Sequence, residues 1–219
     1  MEASEPIIKI FGVLDITGEV IVMWAIIAVV AVISLVVTHN LKERPGKFQN
    51  IIETGVEYLD NYYTGMLGKK NARKYIFFLG SLFVFIIFAN YSGLFPGVGI
   101  SKYAKAPTSS LSVTLGLGVV TFLFLQIAGI KAEAKHYISH FLTPILPLLL
   151  MDELIKPISL SLRLFGNVFG EETALENFYE LMPIGAPLIM MALSLLFCAI
   201  QAIVYTMLTT SYLQEFISD

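Results

Sequence analysis

Four stretches of this chain run without a charge for long enough to cross a bilayer, and nothing else in the sequence constrains the fold as strongly. They are Val20–Thr38, Tyr75–Ile100, Ala106–Ile130 and Leu181–Gln214. About 20 consecutive apolar residues span the hydrocarbon core as a helix. Composition agrees: 56% of the 219 residues are hydrophobic and 14% are charged, against about 25% charged in a soluble domain. The chain is read as an all-α integral membrane protein. The net charge of −3 says little, because the positions of the charges matter more than their sum.

Local signals trim these runs. The second helix is expected to end near Tyr91, ahead of Gly93, Pro96, Gly97 and Gly99. Pro107-Thr108-Ser109-Ser110 reads as the start of the third. Met182-Pro183-Ile184-Gly185-Ala186-Pro187 reads as a turn, so the last helix runs from about Leu188 to Gln214, nearly 40 Å at about 1.5 Å per residue. The N-terminus carries Glu2 and Glu5 in place of a basic region, so Val20–Thr38 is taken as a retained span and not a signal peptide.

Lys47–Leu67 has a different rhythm. Phe48, Ile51, Ile52, Val56, Leu59, Tyr62, Tyr63 and Met66 recur at helical spacing, with Gln49, Asn50, Glu53, Glu57 and Asp60 opposite. That pattern fits an amphipathic helix lying along the membrane surface, set off from the first span by Arg44-Pro45-Gly46. Phe141–Glu180 is too apolar for a loop and too charged for an ordinary span. It is expected to be a long helix buried against protein or water, with Pro144, Pro147 and Pro157 bending or delaying it. The expected plan is one membrane domain over 1–219. It has about five embedded helices (20–38, 75–91, 109–130, 145–181 and 188–214), a surface helix at 47–67, and the last two long helices paired as a tilted hairpin.

Basic residues set the orientation. With the N-terminus outside, the inner segments 39–74 and 131–140 hold nine: Lys42, Arg44, Lys47, Lys69, Lys70, Arg73, Lys74, Lys131 and Lys135. The outer segments hold three: Lys9, Lys102 and Lys105. The C-terminus then lies inside.

Within Phe141–Glu180 stands Arg163, in Ser161-Leu162-Arg163-Leu164-Phe165-Gly166-Asn167. A guanidinium at membrane depth costs roughly 2.5 to 17 kcal/mol, depending on how it is measured, so it marks function and requires a partner. Each helical residue turns about 100°. With Arg163 at zero, that rotation puts Asp152 at about −20°, Lys156 at about +20° and Asn167 at about +40°, on one face. The same rotation points Glu171 to about 80° and Glu172 to about 180°. Glu172, Glu176 and Glu180 form an i, i+4, i+8 row. The arrangement is that of two offset polar paths, Asp152, Glu153 and Lys156 at the inner end and the carboxylate row at the outer end, separated by a positive plug. An arginine does not lose its proton in a protein, so it repels cations and holds an anion without relaying a proton.

Plainer readings stand beside these. Arg163 could pair with a carboxylate on a neighbouring helix. Glu176 and Glu180 could be a solvated helix end, and Asp152 and Glu153 a first-turn acid bias. Asn90 and Gln201, as buried amides, need partners. Ser194, Gln201 and Tyr205 share a face of the last helix. The serines and threonines are expected to bond their own backbone. Gly116, Gly118, Ala192, Ala199 and Ala202 suit close helix packing. Cys198 reads as a small hydrophobe, and His136 with His140 as a wet helix end in place of a metal site. No CxxC, HExxH, GxGxxG or Walker-type loop occurs.

The Arg163 heptapeptide, the acid pair after it, and Ala199-Ile200-Gln201-Ala202-Ile203-Val204-Tyr205 near the C-terminus resemble subunit a of the rotary ATP synthase membrane sector. So do Ala89-Asn90-Tyr91-Ser92-Gly93-Leu94-Phe95-Pro96 and Pro107-Thr108-Ser109-Ser110, in the family's order. The resemblance implies a non-catalytic stator with no cofactor, beside a ring of c subunits and a b-type peripheral stalk in the bilayer, without nucleic acid. It implies a bacterial cytoplasmic membrane ahead of an organellar one. Ions (H⁺ or Na⁺) would enter one half-channel, bind a rotor carboxylate facing Arg163, ride the ring and leave by the other. Glu172 matches the acid of the outer half-channel, Asn90 and Gln201 its polar lining, and Asn167 the asparagine one turn past the arginine. Glu176 and Glu180 would form an outer vestibule. Where some members carry a histidine on the last helix, this chain has Ser194, which directs the path through water or Glu171.

Other classes leave different signatures. A self-contained secondary transporter with Arg163 binding an anionic substrate would show an inverted repeat or paired interrupted helices, and neither occurs. A membrane-embedded enzyme would show a nucleophile–base pair or a metal-ligand set. A passive scaffold would tolerate replacement of Arg163.

Overall fold

The computed structural model describes residues 8–10, 14–39, 46–94, 106–141, 146–182 and 185–217. It is built from five α-helices and one short 3-10 turn, preceded by a small hairpin. The Arg44–Pro45 break, the Pro96–Gly99 segment, Pro144 and the Pro183–Ile184 turn fall outside the described residues, as do the side chains of His136, His140, Pro147 and Asp152.

The hairpin pairs β1 (Ile8–Ile10) with β2 (Leu14–Ile16), antiparallel, with Lys9 opposite Asp15. The sequence pattern did not anticipate it, and its two three-residue strands leave the class all-α. Helix α1 (Gly18–His39) starts where Val20 N–H bonds Thr17 O at 3.1 Å. Its described residues are buried only at Gly18 and Ile26, so Trp24, Val32 and Leu35 present an apolar surface suited to lipid.

Helix α2 (Lys47–Ser92) joins the amphipathic segment to the second span. The ladder breaks once, at Gly68, with φ 75° and ψ 153°. Side chains are excluded from that conformation by clash with the backbone, and glycine is the residue that accepts it. Beyond the break, Lys69 to Lys74 contain no glycine or proline and stay helical, where the sequence reading left a connector. Buried positions recur at Ala72, Tyr75, Leu79, Leu82, Ile86 and Ala89, the three–four alternation of one helical stripe.

The turn Pro107–Ser109 leads into α3 (Leu111–Phe141). Helix α3 continues past Ile130 through Lys131, Ala132, Glu133, Ala134 and Lys135, because alanine, glutamate and lysine are strong helix formers and charge alone does not end a helix. Helix α4 (Leu146–Leu181) runs for 36 residues with Pro157 inside it, about 54 Å at 1.5 Å per residue. Helix α5 (Ala186–Ile217) follows Gly185, whose φ is 102°. Stretches of α1, α2, α3 and α5 are long and apolar enough to cross a membrane, and the charged α4 is not among them.

Contacts divide the chain into two compact units. One comprises Met1–Ile33, Val84–Thr114 and Leu162–Ala202; the other comprises Ser34–Phe83, Leu115–Ser161 and Ile203–Asp219. The second unit holds a core of Tyr63, Leu67, Tyr75, Leu79, Leu125 and Leu213. Phe124 stacks on Phe78 with ring centres 3.6 Å apart and meets Tyr75 edge-on at 5.9 Å. In this unit α3 and α4 approach closely at Gly118. A Cβ built there would lie 2.9 Å from Pro157 O and would also strike Ser161 Oγ. Ser161 Oγ donates to Pro157 O at 2.8 Å, so its hydroxyl is turned onto its own helix. Thr121 meets Tyr205 hydroxyl to hydroxyl at 3.1 Å.

Candidate functional site

In the first unit α4 and α5 run antiparallel, and their polar contacts step along both helices. Asn167 Nδ2 donates to Gln201 Oε1 at 2.6 Å. Cys198 Sγ donates to Glu171 Oε2 at 3.4 Å. Tyr179 hydroxyl reaches Met191 Sδ at 3.8 Å. Ser194, Cys198, Gln201 and Tyr205 are all buried, as one face of a helix requires.

Against this pair lies the end of α2. Asn90, 1% exposed, donates from Nδ2 to Cys198 O at 3.4 Å, and its Oδ1 has no hydrogen-bond partner among the described residues. Tyr91 hydroxyl donates to Leu195 O at 3.2 Å. Asn90, Gly93, Val168, Glu171, Glu172 and Cys198 line an open crevice of about 230 Å³. Glu172 Oε1 accepts the Ala106 N–H at 3.2 Å, just ahead of the Pro107–Ser109 turn. Ser194 Oγ is buried beside Glu171. The crevice thus combines two carboxylates, a thiol and an unpartnered amide oxygen, a set that accepts protons and water.

Arg163 sits on the opposite kind of surface. It is exposed, and no hydrogen bond or ion pair joins it to any described residue. Leu162 and Phe169, near it on α4, are exposed apolar side chains. Gly166 and Gly170 are exposed too, and a Cβ at either would meet nothing within 4 Å. Arg163, Gly166, Asn167 and Gly170 therefore form a low, open stripe.

Of the residues expected at the inner end, Glu153 and Lys156 belong to the second unit and are paired. Gln126 Nε2 donates to Glu153 Oε2. Lys156 Nζ lies 2.9 Å from Glu215 Oε2 and 5.4 Å and 5.7 Å from the ring centres of Tyr212 and Phe216. Glu176 and Glu180 are exposed on α4. The sequence reading missed Glu215 and Gln126 as partners, and it treated Cys198 as filler. Only the helical spacing of Cys198 with Ser194 and Gln201 hinted that the thiol shares their face.

Comparison with known proteins gives a consistent result. A family model described as ATP synthase A chain matches residues 20–214. The chain is 35% identical over 210 residues to the ATP synthase subunit a of Moorella thermoacetica, covering 94% of this chain and 93% of that protein. It is 35% identical over 204 residues to the ATP synthase subunit a of Trichlorobacter lovleyi, covering 90% and 86%.

Proposed function

Because the chain belongs to the ATP synthase A chain family, we propose that it is the ion-translocating stator of that membrane sector, with Arg163 facing a carboxylate on a ring of c subunits. The observation that carries this reading is the exposed, unpartnered guanidinium on an apolar face. A permanent charge among lipid-facing residues is stable only with a counter-charge, and no described residue of this chain supplies one. A carboxylate on an adjacent subunit would. The bare stripe at Gly166 and Gly170 leaves room for a second helix to come close.

In this reading Asn90 and the acid pair Glu171–Glu172 form the outer path, with Glu176 and Glu180 at its mouth. Asn167 and Gln201 hold the polar junction near Arg163. Asp152, Glu153 and Lys156 belong to the inner path. The nearby guanidinium favours the ionised rotor carboxylate and promotes ion release. It also keeps an ion from passing from one path to the other without the rotor. A membrane potential supplies about 2.3 kcal/mol per charge per 100 mV, and the offset of the two paths turns that into rotation. The basic-residue bias supports an outside N-terminus and a cytoplasmic C-terminus, and membership of the family points to a bacterial membrane and a b-type stalk beside the chain. ATP chemistry belongs to the soluble sector.

The test is ATP-driven ion pumping by the complex reconstituted in vesicles. Arg163→Ala is expected to abolish pumping while ATP hydrolysis continues. Normal coupled pumping by that variant refutes the role.

A further inference from the structure

Gly93, the residue after α2, lines the crevice and touches three parts of it at once. Its N–H bonds Asn90 O at 3.3 Å, and Leu94 N–H bonds Tyr91 O at 3.0 Å, so the chain turns tightly off the helix end. A Cβ built on Gly93 would stand 2.9 Å from Ala106 Cβ, 3.4 Å from Glu172 Oε1 and 3.6 Å from Asn90 O. Carbon atoms in contact sit about 3.5–4.0 Å apart, so the first of these distances excludes a side chain unless Ala106 moves. The backbone conformation does not require glycine here: among the described glycines, positive φ values belong to Gly68 and Gly185. What Gly93 supplies is space.

Ala106 is poorly placed to give way. It is fully buried, and its side chain is a single carbon with no rotamer to change. Its carbonyl holds the Pro107–Ser109 turn, accepting Ser109 N–H at 3.0 Å and Ser109 Oγ at 2.8 Å. Its own N–H donates to Glu172 Oε1 at 3.2 Å, and a buried backbone donor has to be satisfied. A shift of Ala106 away from Gly93 therefore stretches the bond to Glu172 or draws the carboxylate along with it. Either way Glu172 loses its present setting in the crevice.

We propose that Gly93 is a positioning residue of the outer path: its bare α-carbon lets Ala106 seat against the end of α2, and the seated Ala106 sets where the Glu172 carboxylate stands. The proposal rests on the stator reading above and gives neither Gly93 nor Ala106 an ion to carry. Among the described residues, the titratable groups around Glu172 are Glu171 on its own helix and Cys198 on α5, with Tyr91 of α2 beside Cys198.

The experiment is ATP synthesis by the whole complex in vesicles, at a fixed membrane potential and inner pH, while the coupling ion outside is varied (H⁺ in Na⁺-free buffer, or Na⁺ at constant pH). It separates the half-saturating outer concentration from the maximal rate per assembled subunit. Gly93→Ala is expected to displace the half-saturating concentration about tenfold, the scale of one hydrogen bond to a charged group. Ala106→Gly removes the Cβ that Gly93→Ala would strike and keeps the N–H. That variant, and the double variant in which the two changes compensate, should stay within about twofold of the wild type. Glu172→Asp, one methylene shorter, should be displaced as Gly93→Ala is, and it carries the test if Gly93→Ala fails to assemble. An unchanged half-saturating concentration in Gly93→Ala or in Glu172→Asp overturns the proposal, even where the maximal rate or subunit content falls. A double variant no better than Gly93→Ala overturns it too. Failure of the stator reading shows separately, as pumping that survives Arg163→Ala.

Discussion

Asn167 Nδ2 donates to Gln201 Oε1 at 2.6 Å, and the Nε2 of that same buried Gln201 amide finds no acceptor among the described residues. One end of the Gln201 side chain is held by α4 while the other keeps a free donor. A buried donor left unsatisfied carries a desolvation penalty, and such a penalty persists where a changing partner uses the group.

Removing the Asn167 amide would strand both ends of Gln201. Asn167→Ala is expected to cost about 1–3 kcal/mol, the penalty of an orphaned buried polar group. Asn167→Ala combined with Gln201→Leu should be less destabilising than the two single changes added together. Thermal unfolding of the solubilised complex, run as a double-mutant cycle, measures the coupling.

Arg163→Lys should fail almost as completely as Arg163→Ala. Lysine replaces a planar, permanently charged fork with a compact ammonium that loses its proton readily when buried. ATP-driven pumping should disappear while hydrolysis persists, and recovery at low pH would mark the lysine as deprotonated.

Gly68→Ala places a Cβ at φ 75° and ψ 153°, a region open almost only to glycine. The expected cost is about 1–3 kcal/mol. The substitution leaves Arg163 and the crevice untouched, so a loss of subunit from the membrane without loss of pumping per assembled complex is the expected pattern.

Gly118→Ala would put a Cβ 2.9 Å from Pro157 O. The neighbour is backbone and has no rotamer to change, so α3 and α4 have to part. Overpacking of this kind costs about 1–3 kcal/mol. Gly116→Ala, two residues earlier with open space around it, is the matched control in the same denaturation assay.

Lys156 and Glu215 should respond unequally. Glu215 is 57% exposed, so Glu215→Gln is expected to cost less than about 1 kcal/mol. Lys156 is 11% exposed and lies over Tyr212 and Phe216, so Lys156→Ala also loses aliphatic packing and cation–π contact. High salt should narrow the effect of Glu215→Gln and leave most of the Lys156→Ala loss.

Five of the six buried threonines among the described residues were legible in advance, Thr108 being the exception. Thr114, Thr121, Thr206, Thr209 and Thr210 each bond a carbonyl three or four residues back, a local interaction that helix geometry alone predicts. The small residues were legible only in part. Gly118 and Ala202 are buried, whereas Gly116 and Ala192 are exposed, because smallness permits a close approach without selecting which helix comes near.

The amino-acid sequence by itself determined the helices. Long uncharged runs have no other way to satisfy their backbone in lipid, and the stripe 72, 75, 79, 82, 86 follows from about 3.6 residues per turn. It also singled out Arg163 and placed Asn167 beside it on the same side of α4, since both statements need only one helix. Tertiary structure alone decided what each charge meets. Glu171 and Glu172 point about 100° apart on a wheel, yet both line one crevice, because α5 supplies Cys198 to one and the chain before α3 supplies the Ala106 N–H to the other. Lys156 finds Glu215 and Glu153 finds Gln126 across helices in the same way. Helical periodicity gives the direction of a side chain from its own axis, and the group waiting there depends on how separate helices pack.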